Sequence, residues 1–174
     1  RSSEASDVYK RQSDIELFLE YVENLKFKNK LLAITGTNGK STIALMIAEA
    51  LNSRPLANYG NLVLENLPRE NENIILELSS FQLEYLPFIK PTVSIISNIK
   101  EDHLTYHGNF KSYFLAKIKI NQYQDNNDYL ILNYDDTHLR KHFDDTKAPS
   151  FLDSPLIRYR CLCFHHYQNQ RQWL

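Results

Sequence analysis

The sequence has almost no excess charge, only two cysteines and no long hydrophobic run. Lysine and arginine total 20 against 21 acidic residues, so the formal net charge of −1 offers no broad attraction for nucleic acid or an anionic membrane. No apolar stretch approaches the roughly 18 residues that a membrane-spanning helix needs. Cys161 and Cys163 are separated by one residue, which offers no disulfide framework and favours a reducing cytoplasm. We therefore expect a cytoplasmic protein without nucleic-acid or membrane partners.

The two ends of the chain differ from its middle. Residues 1–12 are polar and lack periodicity, so they do not look like a signal peptide, and we expect them to be non-native or disordered. Residues 150–174 lose the pattern of the middle, and we leave them unassigned as a frameshifted or disordered tail. The tail has bunched cysteines and histidines without the second ligand pair that a zinc site needs (Cys161, Cys163, His165 and His166). Function is therefore sought in the residues between these ends.

The middle of the chain alternates short apolar runs with amphipathic stretches, a pattern typical of βαβ units. Strands are predicted at 31–35, 74–78, 93–99 and 129–133, and helices from 40 to about 53 and from 110 to about 124. An earlier helix follows a capping box of Ser13 and Glu16, with apolar residues along one face (Ile15, Phe18, Leu19, Val22 and Leu25). The prediction is an α/β fold with a doubly wound, mostly parallel sheet flanked by helices, and with ligands at the carboxyl ends of the strands.

A glycine-bearing turn joins the first predicted strand to the helix that follows it. Its residues form a candidate phosphate loop (Gly36, Thr37, Asn38, Gly39, Lys40, Ser41 and Thr42). Glycines let backbone N–H groups face phosphate oxygens, and the helix N-terminus adds its positive dipole end. Lys40 is placed to reach the β- and γ-phosphates, and the Ser41 hydroxyl to bind Mg²⁺. Ile34 replaces the first glycine of the standard motif, so an ordinary glycine turn is the alternative.

Three further residues are candidates by position. Glu77 ends the second strand at the same sheet edge as the phosphate loop, where it is either a magnesium ligand or a solvated carboxylate. His103 follows the third strand and can bind a metal or a phosphate, or simply cap a loop. Lys117 projects with the apolar residues of its helix and Lys119 points nearly opposite, so Lys117 either has buried partners or snorkels to solvent.

These segments together resemble the Mur ligase family. Residues 36–42 read as the family's nucleotide loop, and Glu-Leu-Ser-Ser-Phe-Gln-Leu at 77–83 is similar to its D-glutamate-adding branch. Residues 102–108 resemble Asp-His-Leu-Asp-Arg-His-Gly, with Thr105 and Tyr106 in place of Asp and Arg. Residues 116–119 match an Ala-Lys-hydrophobic-Arg/Lys segment. The resemblance makes 31–149 a partial central ATP-binding domain, preceded by a lead-in helix and linker at 13–30.

The resemblance implies a role for each candidate residue. Four side chains are expected to be catalytic (Lys40, Glu77, His103 and Lys117). Four are expected to bind two Mg²⁺ ions (Ser41, Glu77, His103 and Lys117). Three are expected to contact the UDP-sugar substrate (Asn61, Ser79 and His103). The lysine that matches Lys117 is carbamylated in the family, which turns a cation into a carboxylate-like metal ligand.

By the same resemblance, the complete enzyme uses ATP to join D-glutamate to UDP-N-acetylmuramoyl-L-alanine through an acyl phosphate, as a monomer in a bacterial cytoplasm. Family members add an N-terminal uridine-binding domain and a C-terminal closing domain, so we expect this chain to be a fragment that cannot complete ligation alone. The alternatives are another Mur or folylpolyglutamate-type ligase and a non-catalytic nucleotide-binding remnant. A P-loop kinase or GTPase is disfavoured, because the sequence lacks the complete eight-residue loop and an Asn-Lys-x-Asp motif.

Overall fold

The computed structural model describes residues 13–25, 28–57, 62–145 and 156–159. Within these ranges the strands are β1 Leu31–Thr35, β2 Pro55–Leu56, β3 Ile74–Glu77, β4 Val93–Ile96, β5 Tyr129–Asn133 and β6 Leu156–Tyr159. The α-helices are α1 Asp14–Asn24, α2 Lys40–Ala50, α3 Ser80–Tyr85, α4 Leu104–His107, α5 Phe110–Ile118 and α6 Thr137–Asp145. Two 3₁₀ turns lie at Val63–Glu65 and Lys119–Asn121.

The described strands form one parallel sheet in the order β2-β3-β1-β4-β5-β6. β1 is central, since Leu32 pairs with Ile75 of β3 on one side and with Val93 of β4 on the other. The strands that follow β1 are therefore added on both of its sides. In such a doubly wound sheet the connections diverge at the switch point and leave a crevice beyond the carboxyl ends of the strands. The predicted fold class is confirmed, and the crevice opens beyond Thr35.

The predicted strands agree closely with the observed ones. The bounds of β1 and β5 are as predicted, and β3 is one residue shorter. β4 ends at Ile96 instead of residue 99, because Asn98 and Lys100 turn away to bond with the phosphate loop. The predicted extension of α2 to about residue 53 is wrong, since the chain enters a left-handed conformation at Asn52 (φ 49°).

Apolar side chains of alternate residues pack on the two faces of the sheet. One face of β1 and β3 contributes Ala33 and Leu76 to the larger cluster, which α1, α3, α5 and α6 cover. The opposite face contributes Ile34 and Ile75 to a smaller cluster, against which Ala44 of α2 packs. The helical face predicted for α1 is confirmed as the buried or half-buried side of that helix (Ile15, Phe18, Leu19 and Val22). α2 thus lies directly over β1 and β3, the strands that flank the crevice.

Several elements were not predicted. The capped helix α3, the single turn α4 and the short strand β2 are local features too brief to show a hydrophobic period. β6 lies in the tail that sequence reasoning left unassigned, and it pairs in parallel with β5. Among the helices of the described ranges, none is long and apolar enough to cross a membrane.

Candidate functional site

The phosphate loop leaves β1 at Thr35 and enters α2 at Lys40. Gly36 has a φ of 149°, and a Cβ on it would lie 1.9 Å from Ser97 Oγ and 3.1 Å from the Asn98 carbonyl oxygen, so a side chain there would displace the segment that follows β4. Gly39 caps α2 in the left-handed conformation, with a φ of 82°, which glycine adopts without steric cost. Both glycines are therefore required by backbone geometry, as the sequence predicted for a tight loop before a helix.

Two lysines converge on this loop. Lys40 Nζ donates to the carbonyl oxygens of Gly36 and Thr37, each at 3.0 Å. Lys117 Nζ donates to the same Gly36 carbonyl at 2.8 Å, although these residues are 81 positions apart. The Lys117 side chain is 2% exposed, so of the two alternatives that the sequence left open the structure shows burial with a partner and not snorkelling.

Burial lowers the pKa of both amines. The pKa of Lys117 is lowered from 10.5 to about 7, first by burial and then by the charge of Lys40, against the opposing effect of Asp102. Burial also lowers the pKa of Lys40, against the raising effects of the Glu77 and Asp102 carboxylates. Near neutral pH, a substantial fraction of Lys117 is therefore a neutral amine, which is a nucleophile instead of a cation.

Ser41 and Glu77 meet at the end of the sheet. Ser41 Oγ donates to Glu77 Oε1 at 3.0 Å, which joins the first turn of α2 to the last residue of β3. Glu77 is 3% exposed, so it is a buried acid instead of a solvated one. A hydroxyl and a carboxylate side by side are oxygen donors of the kind that Mg²⁺ prefers. The pair fits a magnesium site at the mouth of the phosphate loop.

Tyr113 ties the Lys117 helix to the loop. Its hydroxyl lies 2.9 Å from Thr37 Oγ1, and Lys117 Nζ lies 4.8 Å from the centroid of its ring. Lys119, expected to be solvated, is half-buried and donates from Nζ to Glu84 O at 2.7 Å. The two lysines of the α5 segment thus have different partners, and the expectation that Lys119 is solvated is wrong.

His103 lies at the edge of the site. It caps α4 with a left-handed φ of 50°, and its side chain is 49% exposed. Its ring packs on Phe81 at 4.9 Å between centroids and lies 6.3 Å from the ring of Tyr113. In the described part of the chain, no group of three or more His, Cys, Asp or Glu side chains is arranged to hold a metal ion.

Of the other two predicted substrate contacts, the structure describes Ser79 and not Asn61. Ser79 is the N-cap of α3 and makes a full capping box with Gln82, in which the serine hydroxyl accepts from Gln82 N at 3.2 Å. Its structural role was not predicted. Asn61 lies outside the described residues.

Two residues near the loop were missed by sequence reasoning. The charge of Asp102 raises the pKa of both lysines that converge on the loop, in opposition to burial. Asn98 forms hydrogen bonds with the loop backbone. Asn98 follows β4 at the carboxyl edge, much as Glu77 ends β3 there, and that position was the available signal.

The sequence and the fold are similar to those of known proteins. A family described as Mur ligase middle domain matches residues 34–153, well over half of the chain. A UDP-N-acetylmuramoylalanine–D-glutamate ligase from Rickettsia prowazekii is 42% identical over 136 residues, which covers 75% of this chain and 29% of that protein. The enzyme of the same name from Leuconostoc mesenteroides is 38% identical over 130 residues, 70% of this chain and 29% of its own length.

Among solved structures, a MurF ligase from Thermotoga maritima in complex with ADP is similar in fold. It superposes with a TM-score of 0.62 at 22% identity, over 91% of this chain and 40% of that one. The chain thus spans less than a third of the two relatives named above and less than half of this structure.

Proposed function

The chain belongs to the Mur ligase family through its middle domain, and from this membership we propose that it binds Mg-ATP for the ligation of D-glutamate to UDP-N-acetylmuramoyl-L-alanine. The observation that carries the proposal is the meeting of Ser41 and Glu77 at 3.0 Å beside the phosphate loop. The naming of the two bacterial relatives as D-glutamate ligases supports the choice of amino acid. The ligation is proposed for a protein that contains this domain, since the relatives are more than three times the length that the chain matches.

In this proposal the nucleotide is held by the phosphate loop. The N–H groups of the first turn of α2 have no intrahelical acceptors and face the carboxyl edge of the sheet, where phosphate oxygens can accept from them. Lys40 exchanges its contacts with the carbonyls of Gly36 and Thr37 for contacts with the β- and γ-phosphates. The remaining residues of the loop shape it and bring these donors together (Gly36, Thr37, Asn38, Gly39, Ser41 and Thr42).

The metal ligands are proposed from the donor set. Ser41 and Glu77 are the oxygen pair that fits one Mg²⁺. His103 and a modified Lys117 are proposed for a second ion. His103, Ser79 and Asn61 are proposed as substrate-binding residues. When bound, Mg²⁺ neutralises charge on the phosphoryl group that is transferred.

Lys117 is proposed to act as a carbamate. Its neutral amine attacks the carbon of CO₂, a nitrogen–carbon bond forms, and a proton leaves to solvent, which produces an anion. The lowered pKa of Lys117 supplies the neutral amine that this step requires near pH 7. An anion in this position lies beside Lys40, since both side chains contact the Gly36 carbonyl. The modification would therefore replace repulsion between the two side chains by attraction.

The reaction follows from the chemistry of carboxylates. A carboxylate oxygen of UDP-N-acetylmuramoyl-L-alanine attacks the γ-phosphorus of ATP, and ADP leaves. The neutral amine of D-glutamate then attacks the acyl carbon, the nitrogen gives up one proton to the phosphate or to solvent, and phosphate leaves with the electron pair of the broken bond. The first step builds negative charge on the transferred phosphoryl group, which Lys40 and an Mg²⁺ ion held by Ser41 and Glu77 would stabilise, so electrostatic stabilisation and positioning are the main contributions of this domain. We propose that the protein acts as a monomer in the bacterial cytoplasm.

Calorimetric titration of Mg-ATP into the 174-residue chain tests the proposal. We expect saturable binding by the wild type, loss of binding in Lys40→Ala, and no change in the control Lys111→Ala, whose side chain is exposed on α5. Removal of magnesium should weaken the wild-type affinity. A wild-type chain that is folded by circular dichroism and does not bind Mg-ATP would contradict the proposed nucleotide site.

A further inference from the structure

We propose that Asn98 is a positioning residue for the phosphate loop, whose side-chain amide holds Asn38 in the conformation that binds nucleotide. The inference rests on the proposed function, because it concerns how the loop of that site is shaped. Asn98 does not itself contact the reacting groups in this proposal. It acts through the loop backbone.

The side chain of Asn98 satisfies both backbone groups of one loop residue. Asn98 Oδ1 accepts from Asn38 N at 3.0 Å, and Asn98 Nδ2 donates to Asn38 O at 2.9 Å. The backbone carbonyl of Asn98 accepts from Thr37 N at 2.8 Å, and the Ser97 hydroxyl donates to Asn38 O at 2.7 Å. Two consecutive loop residues are therefore hydrogen-bonded to the segment that follows β4.

The paired segment is itself anchored beyond Asn98. Ile99 N donates to Asp136 Oδ2 at 2.7 Å. The other carboxylate oxygen of Asp136 accepts from two N–H groups in the first turn of α6. Lys100 N donates to Thr37 Oγ1 at 2.9 Å, which returns the segment to the loop. Residues 97–100 therefore form a fixed brace between the phosphate loop and the start of α6, and they lead directly to Asp102 and His103.

Bracing of Asn38 affects nucleotide binding because of where this residue lies. Asn38 directly precedes Gly39, the left-handed cap from which the N–H donors of α2 begin. A loop that is rich in glycine has many backbone conformations, and ordering it on binding costs free energy. Because Asn98 fixes the loop before the ligand arrives, that cost is not subtracted from the affinity. The same contacts occupy the N–H groups of Thr37 and Asn38, which leaves phosphate recognition to the α2 turn.

The chain contains a matched control for this contact. Asn29 Nδ2 donates to Arg69 O at 2.9 Å, and its Oδ1 accepts from Asn71 N at 3.1 Å. Asn29 thus makes the same kind of paired amide contact between two loops. It precedes β1 and so lies at the amino end of the strand, whereas the phosphate loop follows the carboxyl end. Removal of the Asn29 side chain deletes two hydrogen bonds. Removal of the Asn98 side chain deletes the two to Asn38 and a longer one from Nδ2 to Ser97 Oγ at 3.4 Å, and only this deletion affects the phosphate loop.

The test compares the wild-type chain with Asn98→Ala and Asn29→Ala, by Mg-ATP calorimetry and by amide hydrogen exchange without nucleotide. We expect both substitutions to lower the free energy of unfolding by similar amounts. Only Asn98→Ala should raise the Kd for Mg-ATP, by about tenfold. Exchange at Thr37 and Asn38 should accelerate only in Asn98→Ala. If that variant does not fold, Asn98→Asp keeps the acceptor and loses the donor. The carboxylate oxygen that replaces Nδ2 repels the Asn38 carbonyl oxygen, so amide exchange at Asn38 in this variant should be faster than in the wild type.

The outcomes separate this inference from the proposed function. If the wild type binds Mg-ATP and Asn98→Ala binds it with equal or higher affinity, the inference is overturned and the proposed nucleotide site is not affected. Unchanged exchange at Asn38 in a folded Asn98 variant also overturns it. A folded wild type that does not bind Mg-ATP overturns the proposed function and the inference together.

Discussion

At the scale of one residue, the buried amine of Lys117 opposes folding. Its ammonium loses hydration on burial, and the charge of Lys40 adds repulsion. One hydrogen bond to the Gly36 carbonyl and a contact with the Tyr113 ring offset only part of this cost. The Gly36 carbonyl also accepts from Lys40, so its hydrogen bonding does not depend on Lys117 alone. A buried lysine under these conditions is expected to be retained for its chemistry instead of for stability.

Lys117→Met should therefore stabilise the chain at pH 7 by about 2 kcal/mol, in buffers freed of bicarbonate. The folded pKa of Lys117 lies below its ordinary value of 10.5, so the unfolded state binds more protons between about pH 7 and 10.5. The destabilisation by Lys117 is complete below pH 7 and disappears as the pH rises towards 10.5. Urea unfolding at pH 7 and pH 9 should show the advantage of the variant shrinking at the higher pH.

The exposed lysine of the same helix provides the control for this prediction. Lys111→Met should change the free energy of unfolding little at either pH, because the Lys111 side chain remains in water. An advantage of Lys117→Met that is equal at both pH values would mean that packing, and not the charge on the amine, causes the difference.

At the scale of an element, α3 shows how a short helix is held at the edge of the site. It has six residues, too few to be stable by propensity alone. The capping box of Ser79 and Gln82 satisfies its first N–H groups, and Leu83 is buried in the larger core cluster. Ser80 in its first turn lies 3.0 Å from the buried Nε2 of His107, which links α3 to α4. The helix thus depends on its cap and on its neighbours.

Ser79→Ala should lower the free energy of unfolding by about 1 kcal/mol, because it removes the acceptor for Gln82 N. Ser79→Thr should retain most of the stability, since threonine keeps the capping oxygen. Ser13→Ala removes the comparable cap of α1, where Ser13 Oγ accepts from Glu16 N at 3.1 Å, and should cost a similar amount. Denaturant titrations of the three variants measure these differences. A Ser79→Ala chain as stable as the wild type would show that the capping box is not needed to hold α3.

At the scale of the whole molecule, the proposed nucleotide site lies at the end of the central strand β1, where several elements of the fold meet. The loop after β1 contacts α5 through Tyr113 and the segment after β4 through Asn98, while α2 contacts β3 through Ser41 and Glu77. A ligand bound at this loop would therefore contact a site that is built from elements on both sides of β1. Any ligand that binds the folded state alone stabilises that state by mass action.

Saturating Mg-ATP should raise the Tm of the chain by roughly 5 to 10 °C. Glu77→Gln should reduce this rise, because the amide is a weaker magnesium ligand than the carboxylate, and the rise should depend less on magnesium. Differential scanning fluorimetry with and without magnesium measures both effects. A Glu77→Gln chain with the full magnesium-dependent rise would remove Glu77 from the proposed metal site.

The parts of the fold predicted from the sequence are those with a strong local signal. β1 and β5 are continuous apolar runs, and the loop at 36–42 stands between a strand and a helix. The proximity of Glu77 to the loop followed from a general property of parallel sheets, since their carboxyl ends meet at one edge. The resemblance to the Mur ligases was likewise readable in ordered motifs, and the family match agrees with it. The place of Lys117 on an apolar helical face left burial and snorkelling as alternatives, and the structure shows burial.

Other features were decided only by the tertiary structure. The early end of β4 and the brace at residues 97–100 depend on hydrogen bonds to residues about 60 positions away, which leave no periodic trace in either segment. The convergence of Lys40 and Lys117 on one carbonyl spans 81 positions. Local pattern specifies which face of an element is apolar, and hence strands, helices and their layers. Which polar groups become partners depends on how those layers are stacked, because a buried donor or acceptor pairs with whatever the fold brings within reach.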